Sequence, residues 1–96
     1  MNKIKILKIL ADLKGDIRQK YKAQVKGIFG SYAREEQKET SDIDILVDFE
    51  EEADLFDFTG LALFLEEKLN LHADIVPEKS LRKEIPRLVL KEVIRV

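Results

Sequence analysis

Between residues 3 and 20 apolar side chains return every three or four positions, at Ile6, Leu10, Leu13 and Ile17, with Lys and Asp between them. That period predicts an amphipathic helix with one buried face. From 24 to 29 the chain reads Gln-Val-Lys-Gly-Ile-Phe, a short strand that Gly30-Ser31 ends. Tyr32 to Glu36 is expected to form a short helix, and 37–41 a polar loop. Residues 42–49, Asp-Ile-Asp-Ile-Leu-Val-Asp-Phe, mostly alternate and are rich in β-branched side chains, which predicts a second strand. Glu50-Glu51-Glu52 makes an acidic turn, and Asp54 is placed to cap a helix over 55–69. This helix is apolar on several sides, at Leu55, Phe56, Phe58, Leu61, Leu63, Phe64, Leu65 and Leu69. A third strand is expected over 72–76, stopped by Pro77. A last helix is expected from Pro86, a favoured first-turn residue, to Arg95. Ile85, Leu88 and Val89 give it an apolar side, and Arg87, Lys91 and Arg95 a basic stripe.

The predicted order is α-β-α-β-α-β-α, an α/β (α+β) arrangement with helices packed on a sheet. A long helix joins the second and third strands, so these two should be parallel. The shorter link between the first two leaves an antiparallel pair open. The expectation is a short three-stranded mixed sheet flanked by helices. Ninety-six residues are enough for one small domain, taken as 1–96, with no room for a second one to grip a substrate.

Charge and composition narrow the function classes. Formal net charge is −2, which argues against binding nucleic acid through bulk electrostatics. There is no cysteine, so disulfides and thiolate zinc sites are excluded. No 18-residue apolar run is present to span a membrane, and the Lys-rich start, Met1-Asn2-Lys3-Ile4-Lys5, is not a signal peptide. A cytoplasmic location is the expectation.

Three features carry chemistry. Gly30-Ser31 ends the first strand, Asp42 and Asp44 open the second, and Asp74 lies near the start of the third. With the strand directions above, all three meet at one edge of the sheet. Asp42 and Asp44, two apart on a strand, point to the same face, roughly 6.5–7 Å apart, while Ile43 and Ile45 point into the core. Two carboxylates so placed repel and make poor core residues. They suit a hard cation such as Mg²⁺, which takes one or two carboxylates plus phosphate oxygens and water. A third carboxylate completes a site able to hold two metal ions, which stabilises the attacking and leaving oxygens of a phosphoryl displacement. Gly30 lets the backbone turn tightly against a ligand, and Ser31 opens a helix whose free N–H groups favour phosphate. Arg34, one turn on, can neutralise triphosphate charge. Ser41 reads first as a residue shaping the turn into strand two, and second as a phosphate contact. Taken singly, each of these features is commonplace on a solvated strand or turn; their joint order is not. His72, the lone histidine, has no Ser or Cys partner in view and reads as structural or exposed.

Gly30-Ser31-x-x-Arg34, then Ser41-Asp42-x-Asp44-x-x-Val47, then Asp74-Ile75-Val76 resembles the minimal nucleotidyltransferases of the polymerase-beta-like superfamily, over about residues 3–95. The resemblance implies that Asp42, Asp44 and Asp74 bind Mg²⁺, with Asp74 also helping to deprotonate an acceptor hydroxyl. It implies that Gly30 and Ser31 hold the triphosphate of ATP. Many members are antitoxins paired with a HEPN-domain ribonuclease, and some transfer AMP from ATP to a tyrosine of that toxin. The corresponding expectation here is a protein adenylyltransferase. Its rivals are an antitoxin that masks its toxin by contact alone, and a nucleotidyltransferase acting on a small molecule. One departure from the family pattern is Glu35, where Gly often follows the motif Arg. Without a further domain, the acceptor must bring its own contacts or a second subunit must supply them, which leaves a homo-oligomer open.

Overall fold

The computed structural model describes residues 1–80 and 87–96. Helix α1 (Lys3–Tyr21) starts at Asn2, whose side chain accepts from the Lys5 amide, and ends at Lys22 in the left-handed region. Strand β1 (Ala23–Phe29) leads into α2, a single turn at Gly30–Ala33. Strand β2 (Ile43–Phe49) is followed by α3 (Leu55–Leu69) and β3 (Ala73–Pro77). A helix, α4 (Arg87–Glu92), and a two-residue strand, β4 (Ile94–Arg95), complete the chain.

The sheet order is β3-β2-β1-β4. β2 and β3 are parallel, and β1 runs antiparallel to β2, as expected. The expected three-stranded sheet has a fourth strand, because β4 pairs with Gly27 and Ile28 of β1. The helix expected to reach Arg95 therefore stops at Glu92, and Arg95 leaves the basic stripe for the sheet. Pro77 does not stop β3 but closes it, paired with Val47. β3 is an edge strand, where a missing N–H can face away from the ladder. The expected helix over Tyr32 to Glu36 is the shorter α2. Pro86 and Ile85 lie outside the described residues, as do the side chains of Leu88 and Val89.

Two apolar layers hold the sheet. On one face Ile6, Leu10 and Ile17 of α1 and Leu61, Leu65 and Leu69 of α3 pack on Val25, Ile28, Ile43, Ile45, Val47 and Ile75. On the other, Phe29 and Leu46 pack with Val76, Leu90 and Val93. α1 buries Ile6, Leu10 and Ile17 completely, the i, i+4, i+11 spacing of one helix face. α3 is fixed at its start by a reciprocal cap, the Asp57 amide donating to Asp54 Oδ1 and the Asp54 amide to Asp57 Oδ2, each at 3.0 Å. Strand β1 shifts register between Val25 and Gly27, a bulge that lets Ile28 face α1 while Phe29 faces the opposite layer.

Candidate active site

Register brings the predicted residues together. Phe29 pairs with Asp44, and Asp44 pairs with Asp74, so the end of β1 and the starts of β2 and β3 stand level at one edge. Ile43, Ile45, Ala73 and Ile75 turn to the α1–α3 layer, which leaves Asp44 and Asp74 on the opposite face. Asp42 lies one residue ahead of β2 and is exposed, as is Asp74, while Asp44 is half-buried. The Asp44 and Asp74 carboxyl groups hydrogen-bond one another. Burial raises the Asp44 pKa from its ordinary 3.8 to about 6, helped by the neighbouring charges of Asp74 and Asp42 and opposed by Arg34. A carboxyl group whose pKa is raised by burial and by two neighbouring acids is what a divalent cation would relieve.

Gly30 begins α2 at φ +74, a left-handed conformation that glycine adopts without strain. A Cβ there would collide with the Asp44 carboxylate, coming within 3.1 Å of Cγ as well. Only a bare α-carbon lets the turn pass over the acid. Ser31 follows, half-exposed. Ser41 has a structural partner, since its Oγ accepts from the Lys38 amide at 2.8 Å and its own amide donates to Lys38 O at 3.0 Å.

Arg34 differs from the expectation. Its Nε donates to Glu36 Oε2 at 3.1 Å and its Nη1 to Glu92 Oε2 at 3.2 Å, so two carboxylates occupy the fork expected to meet a triphosphate. The hydrogen bond to Glu36, with that to Glu92 and the charges of both, holds the guanidinium pKa above its ordinary value against the opposing effect of burial. Glu35 sits at φ 58, so the position adopts the backbone shape that Gly favours, and its carboxylate turns to Lys3 Nζ at 3.4 Å. His72 is exposed, with Nδ1 3.1 Å from Glu66 Oε2 and 3.9 Å from Asp42 Oδ1. Glu66 was not singled out from the sequence. It lies in the last turns of α3, and only the left-handed Asn70 that ends the helix brings it back beside β3. An Asn just past a helical apolar repeat is the one available signal for that reversal.

Among the described residues no three His, Cys, Asp or Glu side chains converge on a metal-sized point. The donor set nonetheless suits Mg²⁺, which is held by one or two protein carboxylates and otherwise by phosphate oxygens and water. Asp44 and Asp74 supply those carboxylates in direct contact, with Asp42 alongside.

Residues 5–96 match the nucleotidyltransferase domain. The chain belongs to the nucleotidyltransferase family. This nucleotidyltransferase is 46% identical over 88 residues to the protein adenylyltransferase MntA of Thermococcus cleftensis, covering 92% of the present chain and 89% of that one. Its fold matches a solved structure described as a candidate minimal nucleotidyltransferase, with TM-score 0.72 and 37% identity over 100% of this chain and 97% of the other. It also matches a crystal structure of a toxin-antitoxin with AMP-PNP, with TM-score 0.63 and 31% identity over 99% of this chain and 72% of that one. The nucleotidyltransferase has, among its described residues, no helix long and apolar enough to cross a membrane.

Proposed function

We propose that this enzyme transfers AMP from ATP to a tyrosine hydroxyl of a HEPN toxin and so acts as its antitoxin. The observation that carries the reading is the shared level of Asp44, Asp74 and Gly30, with the glycine kept bare against the Asp44 carboxylate. The adenylyltransferase relative and the toxin-antitoxin structure supply the choice of nucleotide and of a protein acceptor.

In this reading Asp42, Asp44 and Asp74 hold two Mg²⁺ ions. Bound with ATP, the metal supplies charge stabilisation for the attacking and leaving oxygens. Gly30 and Ser31 seat the triphosphate. Asp74, the most open of the strand-borne acids, takes the proton of the acceptor hydroxyl. The hydroxyl oxygen bonds to the α-phosphorus, the bond from that phosphorus to the bridging oxygen breaks, and pyrophosphate leaves. Arg34 serves the triphosphate by exchanging its contact with Glu36 or Glu92 for phosphate oxygens. The single domain, 1–96, carries the transfer chemistry while the acceptor brings its own contacts. A protein acceptor suits a surface where Leu55 and Phe56 are 76% and 87% exposed beside the acidic turn at 50–52. The reaction belongs in the cytoplasm, where ATP is abundant.

Incubation with α-³²P-ATP, Mg²⁺ and the product of a neighbouring toxin gene tests the reading. Label should appear on the toxin with the wild-type enzyme and drop by at least ~10³-fold with Asp42→Asn/Asp44→Asn. Absence of label, with both forms still binding and silencing the toxin, would leave an antitoxin that works by contact alone.

A further inference from the structure

Glu66 stands outside the acidic triad yet touches both of its flanks. In the parallel β2–β3 pair the Ile43 amide donates to His72 O at 2.9 Å. The next amide, that of Ala73, therefore points away from β2, toward the open edge of the sheet. Among the described residues no strand lies beyond β3 to accept it. Glu66 Oε2 does so, at 3.0 Å, from the helix that covers the core face. Ala73 is 9% exposed, so water is a poor substitute for that acceptor. The same oxygen lies 3.1 Å from His72 Nδ1, and this nitrogen is also the neighbour of Asp42 Oδ1 at 3.9 Å. One carboxylate thus ties the first residue of β3, directly before Asp74, to the side chain standing beside Asp42. Its own side chain is only 28% exposed, which is low for a glutamate late in a surface helix.

We infer that Glu66 is a positioning residue for the metal-binding acids, fixing Asp74 through the Ala73 amide and Asp42 through the His72 ring. It touches neither metal nor nucleotide. It closes a sheet edge that would otherwise be free to shift, and a shift there moves Asp74 relative to Asp44. This inference rests on Asp42, Asp44 and Asp74 being the metal-binding acids of the proposed reaction. Outer partners of metal ligands typically change metal affinity ~10–100-fold when removed.

The test is Mn²⁺ binding in the presence of AMP-PNP, followed by electron paramagnetic resonance, for wild type, Glu66→Ala, Glu66→Gln and Glu66→Asp. Glu66→Ala should bind Mn²⁺ ~10-fold more weakly. Glu66→Gln keeps an oxygen for the Ala73 amide and should recover most of the loss. Glu66→Asp, one methylene short of that amide, should resemble Glu66→Ala, and it decides the matter if the alanine variant does not fold. Amide exchange at Ala73 should quicken in Ala and Asp variants and remain slow in Gln. Folded Ala or Asp variants that bind Mn²⁺ as the wild type does would overturn the inference. Wild-type protein that binds no Mn²⁺ would overturn the metal-site reading itself and the inference with it.

Discussion

Asp44 stands half-buried between Asp42 and Asp74, in contact with the latter, and keeps its proton up to about pH 6. A carboxyl group that is easier to protonate in the folded chain than in the unfolded one weakens the fold as pH rises. The loss begins near the ordinary 3.8 and is complete above about 6. The full rise corresponds to ~3 kcal/mol, and solvent screening at this half-open edge leaves ~1 kcal/mol. Asp44→Asn removes the charge and keeps a donor for Asp74. Without metal, its Tm at pH 7.5 should exceed the wild type's by roughly 4–8 °C, with the gap closing as pH falls toward 4. A gap that widened in acid would contradict the coupling of these carboxyls. The residues of this cluster could all be named from the sequence, because Gly-Ser after one strand, an acid pair opening the next and a third acid opening the one after converge at one sheet edge once the strand directions are set. The distant partner of Arg34 could not, since Glu92 is 58 residues away in the chain.

At the scale of elements, the turn from α2 to the loop rests on Glu35 at φ 58. A non-glycine residue in that region costs ~1 kcal/mol or more, and the Lys3–Glu35 pair, with Glu35 63% exposed, offsets little of it. Glu35→Gly gives back part of the gain through the flexibility it adds to the unfolded chain. The net expectation is a Tm higher by roughly 2–4 °C in thermal denaturation, and a fall would show that the ion pair outweighs the strain. Of the elements named above, all but β4 were predictable from hydrophobic period, caps and turn residues. β4 has two residues, too few to show a period of two, and it follows a helix whose apolar spacing runs straight into it. Glu66 escaped notice for a related reason. Its role depends on the reversal at Asn70, and spacing along a helix says nothing about contacts made across a turn.

For the whole molecule, the sheet and its two apolar layers carry at one edge acids that repel one another. Nucleotide and metal together should therefore stabilise the fold as well as start the reaction. At tenfold excess over its dissociation constant a ligand adds ~1.4 kcal/mol. AMP-PNP with Mg²⁺ should raise the wild-type Tm by roughly 5–10 °C, an effect that chelator removes and that Asp42→Asn/Asp44→Asn lacks. Equal shifts in both proteins would place the nucleotide elsewhere. The single extra residue in β1 has a bearing on all of this. Before the bulge odd-numbered residues of β1 look toward α1 and α3; after it, even-numbered ones do. Count the strand without that step, and Phe29 would sink beneath α1 while Gly30 left the sheet on the wrong side of Asp44. One added link near Lys26 sets the parity of everything downstream, and so selects which of the two surfaces of the sheet becomes the workbench.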